Sequence, residues 1–238
     1  MLVQITLHCT RGCSHCMVDA SPKGAHMSAR TYADTLDMLT RLGDPVLMLS
    51  GGEPTDHPDI LPFVEMAVRK GFYVMLLSHG AWLHQFPTEK RDALLELVSS
   101  VQVTDDPRYY PTRIERFMHP KVGYETHLRM LAPFGRARTA GMPHTQKTPA
   151  CFNLRSATRS LGDFPVGLAL LRHKGKFCCP SVDPYGILHA GETPSCHAFG
   201  LVTDSFAMLT RNLSAMSCND CGLRDNLTPA QKAAIGES

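Results

Sequence analysis

Three cysteines crowd the start of the chain, in His8-Cys9-Thr10-Arg11-Gly12-Cys13-Ser14-His15-Cys16. Their spacing is C-x-x-x-C-x-x-C, directly after the strand-like run Met1 to Leu7. Three thiolates so placed can bind three irons of a 4Fe–4S cluster and leave the fourth iron open. An open iron can hold a small molecule and pass it one electron. A zinc site or three unrelated core thiols are the competing readings, but structural zinc usually pairs two C-x-x-C knuckles and takes four protein donors. Dense cysteine runs are a common way of holding iron–sulfur clusters. A second motif, Leu49-Ser50-Gly51-Gly52-Glu53-Pro54, follows a second strand-like run.

Elements that would position these residues alternate along the chain. Val3 to Leu7 reads as a strand. Ser28 caps a helix running to Leu42 with the apolar stripe Tyr32, Leu36, Leu39 and Leu42, and Gly43 stops it. Val46 to Leu49 is a second strand and Ile60 to Lys70 a helix stopped by Gly71. Phe72 to Leu77 is a third strand, Thr88 to Ser99 a helix, and Val101 to Thr104 a fourth strand. Beyond these the pattern weakens. Pro111 to Met118 reads as a short helix, Glu125 to Leu131 as a strand, Leu154 to Leu161 as a helix, and Val166 to Leu171 as a sixth strand. Alternation of this kind predicts a parallel α/β layout, and six βα repeats fit a partial, unclosed barrel. In such folds ligands bind beyond the C-terminal ends of the strands, where both motifs fall.

The pair of motifs resembles the radical S-adenosylmethionine (SAM) superfamily. That resemblance implies a partial (β/α)6 TIM-type barrel, with Cys9, Cys13 and Cys16 on three irons and SAM chelating the fourth. It further implies reductive cleavage of SAM to a 5′-deoxyadenosyl radical that abstracts hydrogen from a substrate. The residue before the third cysteine is often aromatic in this superfamily; here it is His15, whose ring can still pack over the adenine. Gly51 and Gly52 let the backbone approach a ligand closely, and Glu53 matches the residue that meets the SAM ammonium. Ser78, in Leu77-Ser78-His79-Gly80, stands where many members carry a Thr-Asn-Gly-like turn. Thr104 and Asp105 look like the family's Ser-x-Asp ending, which faces the ribose. Pro133-Phe134-Gly135-Arg136-Ala137 is similar to a Gly-Arg-Ala turn in some members, so Arg136 is a candidate partner for the SAM carboxylate, a group that guanidinium suits.

Six further cysteines follow: Cys151, Cys178, Cys179, Cys196, Cys218 and Cys221. The last two form C-x-x-C. Between Cys179 and Cys196, Val182 to Leu188 reads as a β-hairpin with Pro184 and Gly186 in its turn. A helix-like run, Asp204 to Met216, comes next. The layout is similar to Twitch, the shortened relative of the SPASM auxiliary-cluster domain. It implies a second 4Fe–4S cluster on Cys196, Cys218, Cys221 and either Cys178 or Cys179; structural zinc on the same ligands is the alternative. Residues 1–172 are thus expected to form the barrel and residues 173–238 a small C-terminal hairpin and helix extension. Cys151 has no partner at metal-ligand spacing and suits the core. His8 and His15 flank cluster ligands and can tune them by hydrogen bonds; the twelve histidines show no paired metal spacing.

Composition sets wider limits. The 238 residues suit one domain or one with a small appendage, and 43% apolar with 19% charged residues is ordinary for a globular chain. No apolar run reaches the roughly 18 residues of a membrane span. The N-terminus lacks a basic n-region and cleavage site. Nine cysteines without an export signal point to metal chemistry in a reducing, cytoplasmic setting. Net charge is +2, but Arg108, Arg113, Arg116, Lys121, Arg129, Arg136, Arg138 and Lys147 outnumber Glu115 and Glu125 in one stretch. That stretch can face an anionic substrate or simply be a solvated surface.

The expected activity is therefore that of a radical SAM enzyme fed by an external flavodoxin- or ferredoxin-type one-electron reductant. Its substrate classes are a small metabolite or nucleotide, a nucleobase within DNA or RNA, or a ribosomally made peptide. A zinc-bound nucleic-acid-binding module is the remote alternative; it would leave Gly51-Gly52-Glu53 and the βα alternation without a purpose.

Overall fold

The computed structural model describes residues 1–107, 114–126, 135–138, 180–191 and 197–215. The expected elements at Leu154–Leu161 and Val166–Leu171 lie outside them. Five parallel strands form the frame: β1 (Leu2–Thr6), β2 (Val46–Gly51), β3 (Tyr73–Ser78), β4 (Ser100–Thr104) and β5 (Val122–Glu125). Helices α1 (Ala29–Leu42), α2 (Ile60–Arg69), α3 (Trp82–Gln85) and α4 (Thr88–Leu97) connect the first four. A C-terminal group, β6 (Ser181–Val182), β7 (Ile187–His189), β8 (Ala198–Leu201) and α5 (Phe206–Ala215), completes the described chain. The sheet runs β5-β4-β3-β2-β1-β6-β7-β8 and does not close. This mostly parallel, open sheet agrees with the expected partial barrel.

Local chemistry explains the frame. Ser28 Oγ accepts the Thr31 N–H at 3.0 Å, and Gly43 ends α1 at φ +67°. The apolar stripe of α1 and the i, i+3, i+4, i+7 set of α2 (Ile60, Phe63, Val64, Ala67) are buried. Alternate strand residues Leu47, Leu49, Val74, Leu76, Val101 and Val103 join them in one core cluster. Their neighbours Met48, Ser50, Met75, Leu77, Gln102 and Thr104 lie on the other face and stay half-buried. Helices thus cover one face, and the other is left to line an interior that is part apolar, part polar.

Two expectations change. Residues 114–118 are not helical: the Phe117 N–H is taken by Tyr124 Oη at 2.6 Å and Arg116 lies over the Tyr124 ring, which lays this stretch along β5. The strand found here, β5 (Val122–Glu125), shares only Glu125 with the strand expected at Glu125–Leu131, whose residues 127–131 lie outside the described ones. The C-terminal hairpin forms as expected, with Asp183 Oδ1 accepting the Tyr185 and Ile187 N–H groups across a turn that needs Gly186 at φ +78°. Its first strand pairs in parallel with β1 (Leu2 with Ser181, Val3 with Val182) and so extends the barrel sheet.

One buried group in the core is poorly served. Tyr32 is fully buried, its ring stacked on Phe63 at 4.1 Å, and its hydroxyl has no hydrogen-bond partner among the described residues. Burial pushes its ionisation far up, and an unpaired buried hydroxyl costs free energy. Tyr32→Phe is therefore expected to raise stability by about 1 kcal/mol. A higher urea midpoint at unchanged m-value would show it; a lower midpoint would contradict it.

Candidate active site

The exits of β1 and β2 meet backbone to backbone. The Gly52 N–H donates to Thr6 O at 2.7 Å and the Glu53 N–H to His8 O at 2.9 Å. A Cβ on Gly51 would stand 2.0 Å from Thr6 O, and one on Gly52 2.2 Å from His8 O. Gly51 also holds φ +135°, open to glycine. The Gly-Gly pair is thus what lets the second motif touch the root of the cysteine loop.

Cys9, Cys13 and Cys16 all lie on that loop and none is in a disulfide; Cys9 is buried and the other two are half-buried. The Cys16 N–H closes a turn onto Cys13 O at 3.2 Å, and the Ala20 N–H donates to Cys16 Sγ at 3.4 Å. Burial pushes the Cys9 thiol up, so bound metal would be needed to hold it as thiolate. Among the described residues no three His, Cys, Asp or Glu side chains converge on a single metal ion. Three cysteines spaced along one loop are a donor set that fits a 4Fe–4S cluster with three protein ligands.

Glu53 is the hub beside the loop. It is 1% exposed, and its carboxylate is hydrogen-bonded on both oxygens. Oε1 accepts from Thr55 Oγ1 (2.6 Å), the Thr55 N–H (3.2 Å) and Ser78 Oγ (2.9 Å). Oε2 accepts the His79 N–H at 3.0 Å. His79 Nδ1 accepts the Ala81 N–H at 3.1 Å, which leaves the ring proton on Nε2, 3.3 Å from Glu53 Oε2. Ser78 Oγ in turn accepts from the Gly80 N–H (2.8 Å) and Trp82 Nε1 (3.2 Å). The one donor and two acceptor positions of that hydroxyl are all in use. Arg11 ties the cysteine loop to this network through His79 O at 3.3 Å.

The remaining expected residues ring the loop. Thr104 and Asp105 end β4, and Asp105 is buried with its N–H on Glu125 O at 2.9 Å. Asp106, also buried, lies near enough to His15 to act on its charge. Burial, with Arg11 adding to it, pushes the His15 imidazole down, and Asp106 opposes them. Arg136 Nε donates to Cys13 O at 3.0 Å and its Nη1 to Asp19 Oδ1 at 2.9 Å. The carboxylate it meets in the structure is therefore the loop's own. Cys178, Cys179, Cys196, Cys218 and Cys221, like Cys151, lie outside the described residues.

Sequence reasoning misses several members of this site. Thr55, Trp82, Asp19 and Arg11 carry no motif, although Thr55 sits two residues from Glu53. It also misses a histidine group at the start of the cysteine loop. His8 lies on His26 at 5.3 Å, His26 meets His57 edge-on at 5.1 Å, and Asp56 Oδ2 is 3.9 Å from His8 Nε2. Burial pushes His26 and His57 down and, with Glu53 nearby, pushes Asp56 up.

With this geometry in place the comparison with known families decides the matter: the Radical SAM superfamily model matches residues 3–145, more than half of the chain. The chain belongs to the radical SAM superfamily. It is accordingly an enzyme family member for which SAM and a 4Fe–4S cluster are the implied cofactors. Its relatives include the PqqA peptide cyclase of Ruegeria pomeroyi, 34% identical over 35% of this chain and 23% of that protein. The AdoMet-dependent heme synthase of Methanosarcina barkeri is 25% identical over 63% of this chain and 45% of that protein. The chain thus spans less than half the length of either relative. Among solved structures, BtrN in complex with AdoMet and 2-DOIA superposes with a TM-score of 0.60 at 15% identity, covering 98% of this chain and 88% of that one. BtrN in an open conformation gives 0.52 at 17% identity, covering 95% and 90%. These likenesses support the fold.

Gly52→Ala tests the radical SAM site directly. The added methyl must displace His8 O and with it the start of the cysteine loop. Iron bound per chain after anaerobic reconstitution is expected to fall at least by about half while far-UV circular dichroism stays native; wild-type iron content would contradict the close contact.

Proposed function

We propose that this radical SAM enzyme cleaves SAM at the cysteine loop and abstracts hydrogen from a small molecule held in the open barrel. The cluster and SAM, when bound, supply the one-electron cleavage that yields the 5′-deoxyadenosyl radical. The chain's own part is to bind and orient. Cys9, Cys13 and Cys16 hold the cluster. The backbone of Gly51 to Glu53 offers SAM a close approach, with the Glu53 carboxylate the acceptor for its ammonium, while Thr104 and Asp105 are the candidates for its ribose. The half-buried face of Met48, Ser50, Met75, Gln102 and Thr104 lines the space beyond, where exclusion of water would protect a radical. An external one-electron reductant of the flavodoxin or ferredoxin type completes the system. A second cluster, on Cys196, Cys218, Cys221 and Cys178 or Cys179, would make net oxidation possible by accepting the substrate's electron.

The observation that carries the reading is three cysteines on one loop, against Gly51-Gly52-Glu53, in a chain of this superfamily. A small substrate is favoured by the extent of the likeness to BtrN, whose complex contains AdoMet and 2-DOIA and which is matched along nearly the whole chain. A peptide substrate is the second reading, supported by the PqqA peptide cyclases, whose matches cover little more than a third of the chain. A nucleic acid is disfavoured because described cations of the basic stretch are engaged within the protein. Lys121 Nζ donates to Leu95 O and Glu96 O, both at 2.8 Å, Arg116 covers Tyr124, and Arg136 holds the loop.

Replacing Cys9, Cys13 and Cys16 together by Ala is expected to abolish 5′-deoxyadenosine formation under dithionite, measured by chromatography. Product at the wild-type rate would refute the assignment.

A further inference from the structure

We propose that Arg136 is a positioning residue for the iron–sulfur loop, fixing the spacing of Cys13 and Cys16 and placing a permanent positive charge beside them. The inference rests on the radical SAM reading of that loop. Arg136 lies far along the chain from the loop, yet its Nε and Nη1 reach two points of it. These are Cys13 O (3.0 Å) and Asp19 Oδ1 (2.9 Å), which flank Cys16 on either side in sequence. The guanidinium is planar, with donors in a fixed fork, so two such bonds set orientation as well as distance.

The turn that carries Arg136 is fitted to the same loop. Gly135 has φ +50°, and a Cβ there would stand 2.7 Å from Cys16 O, 2.9 Å from Met17 O and 3.0 Å from Asp19 N. Ala137 is fully buried. Asp19 itself is the only non-glycine residue with positive φ among those described, at +55°. Its strained backbone is held at a place where its carboxylate meets the arginine. The loop's internal bonds, from Cys16 N to Cys13 O and from Ala20 N to Cys16 Sγ, bridge only short steps. Arg136 spans them from outside.

Two consequences can be separated. The fork holds geometry, and the charge favours the more negative, reduced state of a thiolate-bound cluster. Anaerobically reconstituted wild type, Arg136→Gln, Arg136→Lys and Asp19→Asn would be compared by two readouts. One is the rate of iron loss to a chelator; the other is the cluster midpoint potential from an EPR-monitored titration. Arg136→Gln is expected to lose iron several-fold faster and to have a more negative midpoint. Arg136→Lys, which keeps the charge but not the fork, is expected to lose iron faster at a near-wild-type midpoint. Asp19→Asn is expected to speed iron loss less than Arg136→Gln.

Arg136→Gln with wild-type iron retention and midpoint would overturn the proposal. So would a variant set whose only defect is a raised KM for SAM, which would make Arg136 a direct SAM ligand. A wild type that binds no iron would overturn the cluster reading as well as this one, whereas an iron-loaded wild type with an indifferent Arg136→Gln overturns this one alone.

Discussion

Backbone contact between the exits of β1 and β2 is the constraint on which the site depends. The cysteine loop begins at His8, and His8 O is bonded by the Glu53 N–H. Any side chain at positions 51 or 52 would push these two segments apart. The parallel register of β1 with β2, which shifts between Gln4 and Thr6, delivers both segments to the same end of the sheet. Sulfur donors and the Gly-Gly-Glu turn therefore arrive together as a consequence of sheet geometry.

From that contact, order spreads through hydrogen bonds. Glu53 gathers Thr55, Ser78 and His79, which joins the exits of β2 and β3. Arg11 runs from the cysteine loop to His79 O, and Arg136 runs back from a distant turn to Cys13 O. A buried carboxylate is costly unless its oxygens are satisfied, and here both are. The same satisfaction makes Glu53 rigid.

Much of this is legible in the amino-acid sequence. Ser28 and Gly43 mark the ends of α1 because capping chemistry is local. Leu47 and Leu49 against Met48 and Ser50 show the period of a strand with two unlike faces. The cysteine spacing and Gly51-Gly52-Glu53 carry the family resemblance. What stays hidden depends on contacts across long stretches of chain. Nothing near Gly135 in sequence points to Cys16 O, and nothing in His26 or His57 points to His8. β8 escapes a sequence reading because Ala198-Phe199-Gly200-Leu201 is short and holds a glycine, and the pairing of β6 with β1 joins residues far apart in the chain. The helix expected before Met118 yields to Tyr124, whose hydroxyl takes the Phe117 N–H.

The central claim is that three cysteines of this loop leave one iron free for SAM. EPR spectroscopy of the anaerobically reconstituted, dithionite-reduced protein tests it most directly, with spectra recorded before and after SAM is added. A reduced-cluster signal whose g-values and line shape change on adding SAM, and which is missing when the loop cysteines are replaced, is the result this account requires. A signal indifferent to SAM, or one that survives loss of those cysteines unchanged, would contradict it.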